Sequence, residues 1–393
     1  SNSDQYKKIQ KILDKKDFIK KVFYFDKSDE IKNKDYIYLE NILNNSDLNY
    51  NDLPYYKIFR NDPACIIYTS GTQGNPKGVI LSHGGILSNC QGALKLLSPL
   101  LTKKIRFLTW LPLSHSYEHT VQFVQISVGA QIFYAESIEK LIKNMNECKP
   151  HIMTAVPRFY QNLFTKINMN FEKQKGLKKI LINKTVDLGK KKLKKVELSF
   201  VEKVINFICN ILVRKKIQRQ FGGNLQAFVS GGGALDQNIG EFLNAIGLPT
   251  LQGYGLTETS PVLSFNVPGE GSRENSVGRL LPGVESKVVD ADTKEDLPDG
   301  ESGILCFRGP NVFPGYLNQP EKTEEVLTED GWFATGDLGR IDGEGFLFIE
   351  GRLSRFSKIG GEMVPHETVE EAVIKTCDGR GDTGDRSGNT RKG

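Results

Sequence analysis

Ile66-Ile-Tyr-Thr-Ser-Gly-Thr-Gln-Gly-Asn-Pro-Lys-Gly78 is the stretch from which the rest of the chain can be read. A short apolar run, Cys65 to Tyr68, leads into a loop holding Thr69, Ser70, Gly71, Thr72, Gly74 and Lys77, and a helix-like segment starts near Gly84. Glycines let backbone N–H groups turn toward a phosphate, hydroxyls add donors, and Lys77 adds positive charge. The string therefore reads as a phosphate cradle between a strand and a helix. It is not the G-x-x-x-x-G-K-[ST] loop, because Lys77 is followed by Gly78.

Outward from this loop the chain alternates short apolar runs with segments long enough for helices. The runs are 65–68, 106–111, 130–134, 151–156, 227–229 and 250–252. That rhythm predicts β-α units on a largely parallel sheet, an α/β fold. After about Ser276 the pattern turns to alternation, as in 285–289 and 303–307, with Gly/Asp turns between. A smaller antiparallel β subdomain packed on the α/β body is the expectation. Between them, Val201, Val204, Ile208, Ile211 and Leu212 recur at three-and-four spacing, one apolar face of a helix.

At 393 residues, 38% hydrophobic and 25% charged, the chain suits a globular protein of one large or two ordinary domains and excludes a disordered or collagen-like one. The net charge of +5 is mild but uneven. Residues 172–219 concentrate lysine and arginine, a surface for anions: lipid head groups or nucleic acid. Six cysteines without C-x-x-C spacing suggest reduced thiols rather than a zinc site. No run approaches the roughly 20 apolar residues of a membrane span. A cytoplasmic protein, soluble or peripheral on the inner face of the membrane, is expected.

Three later strings join the first in a fixed order: Ser230-Gly-Gly-Gly-Ala234, Gln252-Gly-Tyr-Gly-Leu-Thr-Glu-Thr-Ser260 and Gly331-Trp-Phe-Ala-Thr-Gly-Asp-Leu-Gly-Arg340. With the phosphate loop they resemble the signatures of the adenylate-forming (AMP-binding) superfamily, over about residues 60 to 375. The resemblance implies ATP and Mg2+ as cofactors. It also implies roles. Thr69 to Gly74 and Lys77 cradle phosphates, and Gly231, Gly232 and Gly233 lie under adenine. Gln252, Gly253 and Tyr254 continue the adenine site, with Tyr254 stacking. Thr257 bonds the α-phosphate, and Glu258 is catalytic and holds Mg2+. Asp337 and Arg352 take the ribose hydroxyls.

Trp110-Leu-Pro-Leu-Ser-His-Ser-Tyr-Glu-His119 and Val156-Pro-Arg-Phe-Tyr160 are similar to the long-chain fatty acyl-CoA synthetase branch. This places His115 near the reacting carboxylate and Trp110 and Tyr117 close to the acyl tunnel. Unaided, His115 and His119 at i, i+4 also admit a metal pair or a structural polar role. The hinge string Gly351 to Val364 carries Ser354 where many relatives have Lys or Asp. Its Gly-Glu-Met-Val run is closer to the acyl-carrier-protein synthetase and lysophospholipid acyltransferase branch. The acceptor thiol is thus coenzyme A or a carrier protein, and Lys358 matches a position used in the thioester half-reaction.

The expected organisation is a remnant of an N-terminal region (1–60), an α/β nucleotide- and acyl-binding core (61–275), a β subdomain completing the AMP site (276–351), the hinge and start of a small C-terminal domain (352–375) and a disordered tail (376–393). That small domain, largely missing, supplies the family's adenylation lysine, so nucleotide binding with weak adenylation is expected. The partners expected are a fatty acid, coenzyme A or carrier protein, and an anionic membrane through 190–219, with no nucleic acid. The alternative for 190–219 is a solvated face whose apolar stripe packs on the body.

Overall fold

The computed structural model describes residues 8, 12, 21–25, 36–45, 56–69, 76–101, 104–266, 273, 275–359, 362–366, 369 and 373. Two units separate, Ser1–Ile58 and Phe59–Gly393. In the first, β1 (Val22–Tyr24) pairs in parallel with β2 (Tyr36–Tyr38), which runs into helix α1 (Leu39–Asn45).

The second unit is built on an eleven-stranded sheet. Its parallel half contains β5 (Arg106–Thr109), β6 (Gln131–Tyr134), β7 (Ile152–Ala155), β8 (Ala227–Ser230) and β9 (Thr250–Tyr254), in the order β6-β5-β7-β8-β9. Alternate residues of these strands enter different clusters. Leu108, Met153 and Phe228 join one, with Met145, Tyr160 and Phe242. Phe107, Ile152 and Val229 join another, with Ile86, Cys90 and Val124. Side chains of period 2 therefore bury both faces of the central strands β5, β7 and β8, which is why those runs are mostly apolar, whereas β6 at the sheet edge keeps Gln131 and Tyr134 exposed.

The helices over those faces are α2 (His83–Leu97), α3 (Ser116–Ser127), α4 (Leu141–Cys148), α5 (Pro157–Glu172), α6 (Gly176–Leu193), α7 (Phe200–Cys209), α8 (Lys215–Gln220) and α9 (Gln237–Ala245). None of the described helices is long and apolar enough to cross a membrane. The antiparallel half comprises β10 (Ser264–Phe265), β11 (Ser276–Leu280), β12 (Glu285–Val289), β13 (Gly303–Arg308), β14 (Phe333–Ile341) and β15 (Phe346–Arg352). It continues the same sheet edge to edge, because β10 pairs with both β9 and β11.

One run departs from the expected parallel rhythm. Cys65 to Tyr68 lies in β3 (Pro63–Thr69), which pairs antiparallel with β4 (Lys77–Ser82) as a separate hairpin. Only residues 70–76 join these strands, whereas a parallel crossover needs about a dozen or more residues. Ser82 caps the helix that follows, its Oγ accepting from the Gly85 N–H at 3.0 Å.

Helices α6 and α9 approach so closely that a Cβ on Gly189 would sit 2.5 Å from the Ala245 carbonyl oxygen. Gly189→Ala gains about 1 kcal/mol of helix propensity. Overpacking against backbone costs about 1–3 kcal/mol and wins, because a carbonyl cannot swing aside like a side chain. A net Tm loss of about 1–3 °C is expected by calorimetry; a raised Tm would refute the tight crossing.

Candidate active site

The end of β9 and the turn after it form the centre of the site. Residues Thr257–Thr259 make a single 3-10 turn that carries Glu258. Three contacts pin it: Asn89 of α2 and Asn311 each donate to the Thr259 carbonyl at 3.1 Å, and the Phe313 N–H donates to the Glu258 carbonyl at 2.8 Å. The hairpin docks on the same segment through Ile80 N–H to Gly315 O (3.2 Å) and Leu317 N–H to Gly78 O (2.8 Å). Tyr316 is thereby buried between Glu258 and Lys77. Its hydroxyl donates to Glu258 Oε1 at 2.9 Å, and Lys77 Nζ stands 4.7 Å from its ring centroid. Burial, then the Glu258 charge, pushes the Tyr316 phenol far above its ordinary pKa, so it stays a donor.

A second cluster is set by strand register. Asp337 of β14 faces Arg352 of β15 across the ladder, and Arg352 Nε donates to Asp337 Oδ1 at 2.8 Å. From the far side the Tyr254 hydroxyl donates to Asp337 Oδ2 at 2.6 Å. Burial raises the Asp337 pKa, and the Arg352 charge and the Tyr254 hydrogen bond oppose that rise. Two donors on one buried carboxylate hold its plane fixed.

Beneath the glycine turn after β8 lies Tyr117, at the start of α3. A Cβ on Gly231 would come within 2.8 Å of its ring, and its hydroxyl donates to the Val229 carbonyl at 3.0 Å. Only glycine leaves room for this approach. Ser116 Oγ lies 3.1 Å from Thr257 Oγ1. His115 caps α3, its Nδ1 accepting from the Tyr117 N–H at 3.2 Å. His119 turns instead to the Leu113 carbonyl and Cys65 Sγ. Below the site Glu118 is buried, accepting from Thr154 Oγ1 at 2.7 Å, and burial raises its pKa to about 7.

These elements surround one cavity of about 710 Å³. Of the residues singled out by sequence, Thr69, Lys77, His115, Gly231, Gly232, Gly253, Tyr254, Thr257, Glu258 and Arg352 line it. Asp337 reaches it through Tyr254 and Arg352, whereas Gly233 and Gln252 are not in its wall. Trp110, expected near the acyl tunnel, packs against Phe159 and donates to the Thr154 carbonyl, outside that wall. Ser70, Gly71, Thr72 and Gly74 lie outside the described residues, as does the tail 376–393. Lys358 falls on the strand Phe356–Ile359, and its side chain is likewise outside the description. Sequence reading missed Tyr316 and Ser116. The Phe313-Pro-Gly-Tyr316 run reads only as a turn.

The chain is similar to several known proteins. The fatty acyl-CoA synthetase A of Dictyostelium discoideum is 34% identical over 324 residues, covering 80% of this chain and 47% of the relative. The chloroplastic long-chain-fatty-acid–[acyl-carrier-protein] ligase AEE15 of Arabidopsis thaliana is 32% identical over 373 residues, covering 83% and 50%. The chain thus spans about half the length of the curated relatives it matches. Among solved structures, ATP-bound MatB from Rhodopseudomonas palustris superposes with a TM-score of 0.61 at 27% identity, over 80% of this chain and 52% of that one. The AMP-binding enzyme family matches residues 2–317. On that match, with Thr69 and Lys77 of the β3–β4 hairpin, the glycine turn and the buried Asp337 carboxylate gathered at one cavity, the chain belongs to the AMP-binding enzymes.

Proposed function

We propose that this chain carries the nucleotide- and acyl-binding core of an ATP-dependent long-chain fatty acid ligase. The reaction is attack of a fatty acid carboxylate on the α-phosphate of ATP, releasing pyrophosphate, followed by transfer of the acyl group from acyl-AMP to the thiol of coenzyme A. One observation carries this reading: segments around Lys77, Glu258 and Asp337, far apart in sequence, meet at a single cavity. The wall of that cavity also includes the apolar side chains of Ala93, Phe107, Val121, Val124 and Phe265, suited to an alkyl chain.

In this reading Asp337 and Arg352 take the ribose hydroxyls. Tyr254, Gln252 and Gly253, with Gly231 to Gly233, form the adenine site. Thr257, steadied by Ser116, reaches the α-phosphate, while Lys77 and the loop from Thr69 to Gly74 take the remaining phosphates. Glu258, oriented by Tyr316, suits Mg2+, which prefers one or two carboxylates together with phosphate oxygens. The ion, when bound, neutralises charge on the phosphates. The protein contributes positioning and fixed donors, which lower the barrier most in transfers of this kind. His115 stands near the reacting carboxylate, and Lys358 serves the thioester step after a rotation at the hinge near Arg352. The division proposed is core 61–275, β subdomain 276–351 and hinge from 352.

A carrier-protein thiol is the second reading, favoured by the hinge string and by the likeness to an acyl-carrier-protein ligase. Peripheral contact with an anionic membrane on the cytoplasmic side belongs to the same proposal. Pyrophosphate release by a full-length form, across acids from acetate to palmitate with coenzyme A or carrier protein, tests it. Long-chain acids with coenzyme A should be preferred. Turnover of amino acids or short acids alone would overturn the substrate class.

A further inference from the structure

Helix α7 begins with a reciprocal cap. The Glu202 N–H donates to Ser199 Oγ, the Ser199 N–H donates to Glu202 Oε2 at 2.9 Å, and Lys191 bonds Glu202 Oε1 at 2.6 Å. The only acid on this helix is therefore committed to its start. At the other end Arg214 fixes how the helix is turned. Its guanidinium is buried and donates to the carbonyls of Ala245 (2.8 Å) and Thr185 (2.9 Å) and to Asn206 Oδ1 (2.9 Å). Cys209, Val213 and Ile217 are buried on the same side.

The apolar stripe consequently faces outward. Phe200 is 82% exposed, Val201 64%, Val204 47%, Phe207 65%, Ile211 45% and Leu212 56%. A helix of a water-soluble body normally turns such a stripe to the core. Here the core is already served by the opposite side, so the reading in which the stripe packs on the body does not hold. Beside it Lys192, Lys195, Lys203, Lys215 and Lys216 are exposed. Protruding aromatic and aliphatic groups among lysines are the arrangement of a helix that lies in a lipid interface: apolar groups enter the acyl boundary and ammonium groups meet phosphates. A protein partner matched to the stripe alone would leave those charges unexplained.

We propose that the outward face of α7 and the turn through Leu212 is a docking surface for an anionic lipid bilayer, with Phe200 and Phe207 as the inserting groups. This deepens the peripheral contact proposed above and rests on that reading only for its biological purpose. Docking requires no catalysis, so vesicle binding and pyrophosphate release can fail separately.

The test is co-sedimentation with phosphatidylcholine vesicles, with and without about one-third phosphatidylserine. Binding should be at least tenfold stronger on the anionic vesicles and should fall several-fold in 0.5 M NaCl, where the Debye length shrinks to about 4 Å. Phe200→Ser with Phe207→Ser should lower anionic binding at least tenfold while leaving ATP affinity unchanged, which shows that the fold persists. Lys215→Gln with Lys216→Gln should abolish part of the preference for anionic lipid. Equal recovery on both vesicle types, or full binding by the double phenylalanine variant, would overturn the proposal. So would a concentration-dependent dimer, seen by light scattering, that the double variant dissolves while vesicle binding is absent; the face would then be an interface between copies.

Discussion

In a full-length form of the protein, Glu258→Ala is expected to lower acyl-AMP formation by about 10²–10³-fold, the loss typical when one fixed electrostatic group at the reacting centre is removed. Two neighbours make this residue more than a surface carboxylate. Tyr316 donates to its Oε1, and Lys77 sits over the same phenol ring, so one substitution removes the negative member of an aligned set. Glu258→Gln separates two roles. Its amide oxygen can still accept from Tyr316, so the turn should hold, but the charge that suits Mg2+ is gone. If the glutamine variant is as impaired as the alanine variant while ATP still binds, charge is the function. Pyrophosphate release at the wild-type rate in either variant would remove Glu258 from the machinery.

Asp337→Ala is expected to weaken ATP binding by at least about 100-fold, the lower bound for losing roughly two charge-assisted hydrogen bonds of about 1.5–3 kcal/mol each. The structural cost is separable, because Arg352 is partly exposed and can turn to water, whereas the Tyr254 hydroxyl loses its carboxylate acceptor. Isothermal titration with ATP and with the deoxy-ribose analogues divides the effect. If Asp337 takes the ribose hydroxyls, the variant should bind ATP and the 2′,3′-dideoxy compound equally weakly, while the wild type discriminates between them. Unchanged affinity for ATP would place the nucleotide elsewhere in the cavity. Acid should weaken binding too: burial raises the Asp337 pKa, so its charge is lost sooner on lowering pH than that of a solvated aspartate.

Much of this site could be read from local strings because its parts are loops and turns whose backbone demands particular residues. The glycine turn at 231 is an example. The sequence marks it, and the Tyr117 ring pressed beneath it supplies the reason. The parallel strands were equally legible, since burial on both faces leaves the central ones, β5, β7 and β8, mostly apolar. Tyr316 was not legible. It joins Lys77 to Glu258 only because the segment 315–317 docks on the hairpin, a pairing between residues more than two hundred positions apart.

The hairpin and the basic helix show the same division. Apolar runs and turn residues fixed that a strand precedes the phosphate loop, yet the short link through residues 70–76 made its partner antiparallel and local. Three-and-four spacing fixed that α7 carries an apolar stripe, but spacing has no direction in space. What turned the stripe outward was Arg214, whose buried guanidinium ties Asn206 of α7 itself to Thr185 of α6 and Ala245 of α9 on the opposite side. The chain by itself determined which elements form and which residues have the chemistry for a nucleotide. Only tertiary packing decided which of those residues meet and which faces remain open, because both depend on contacts between positions that no local pattern relates.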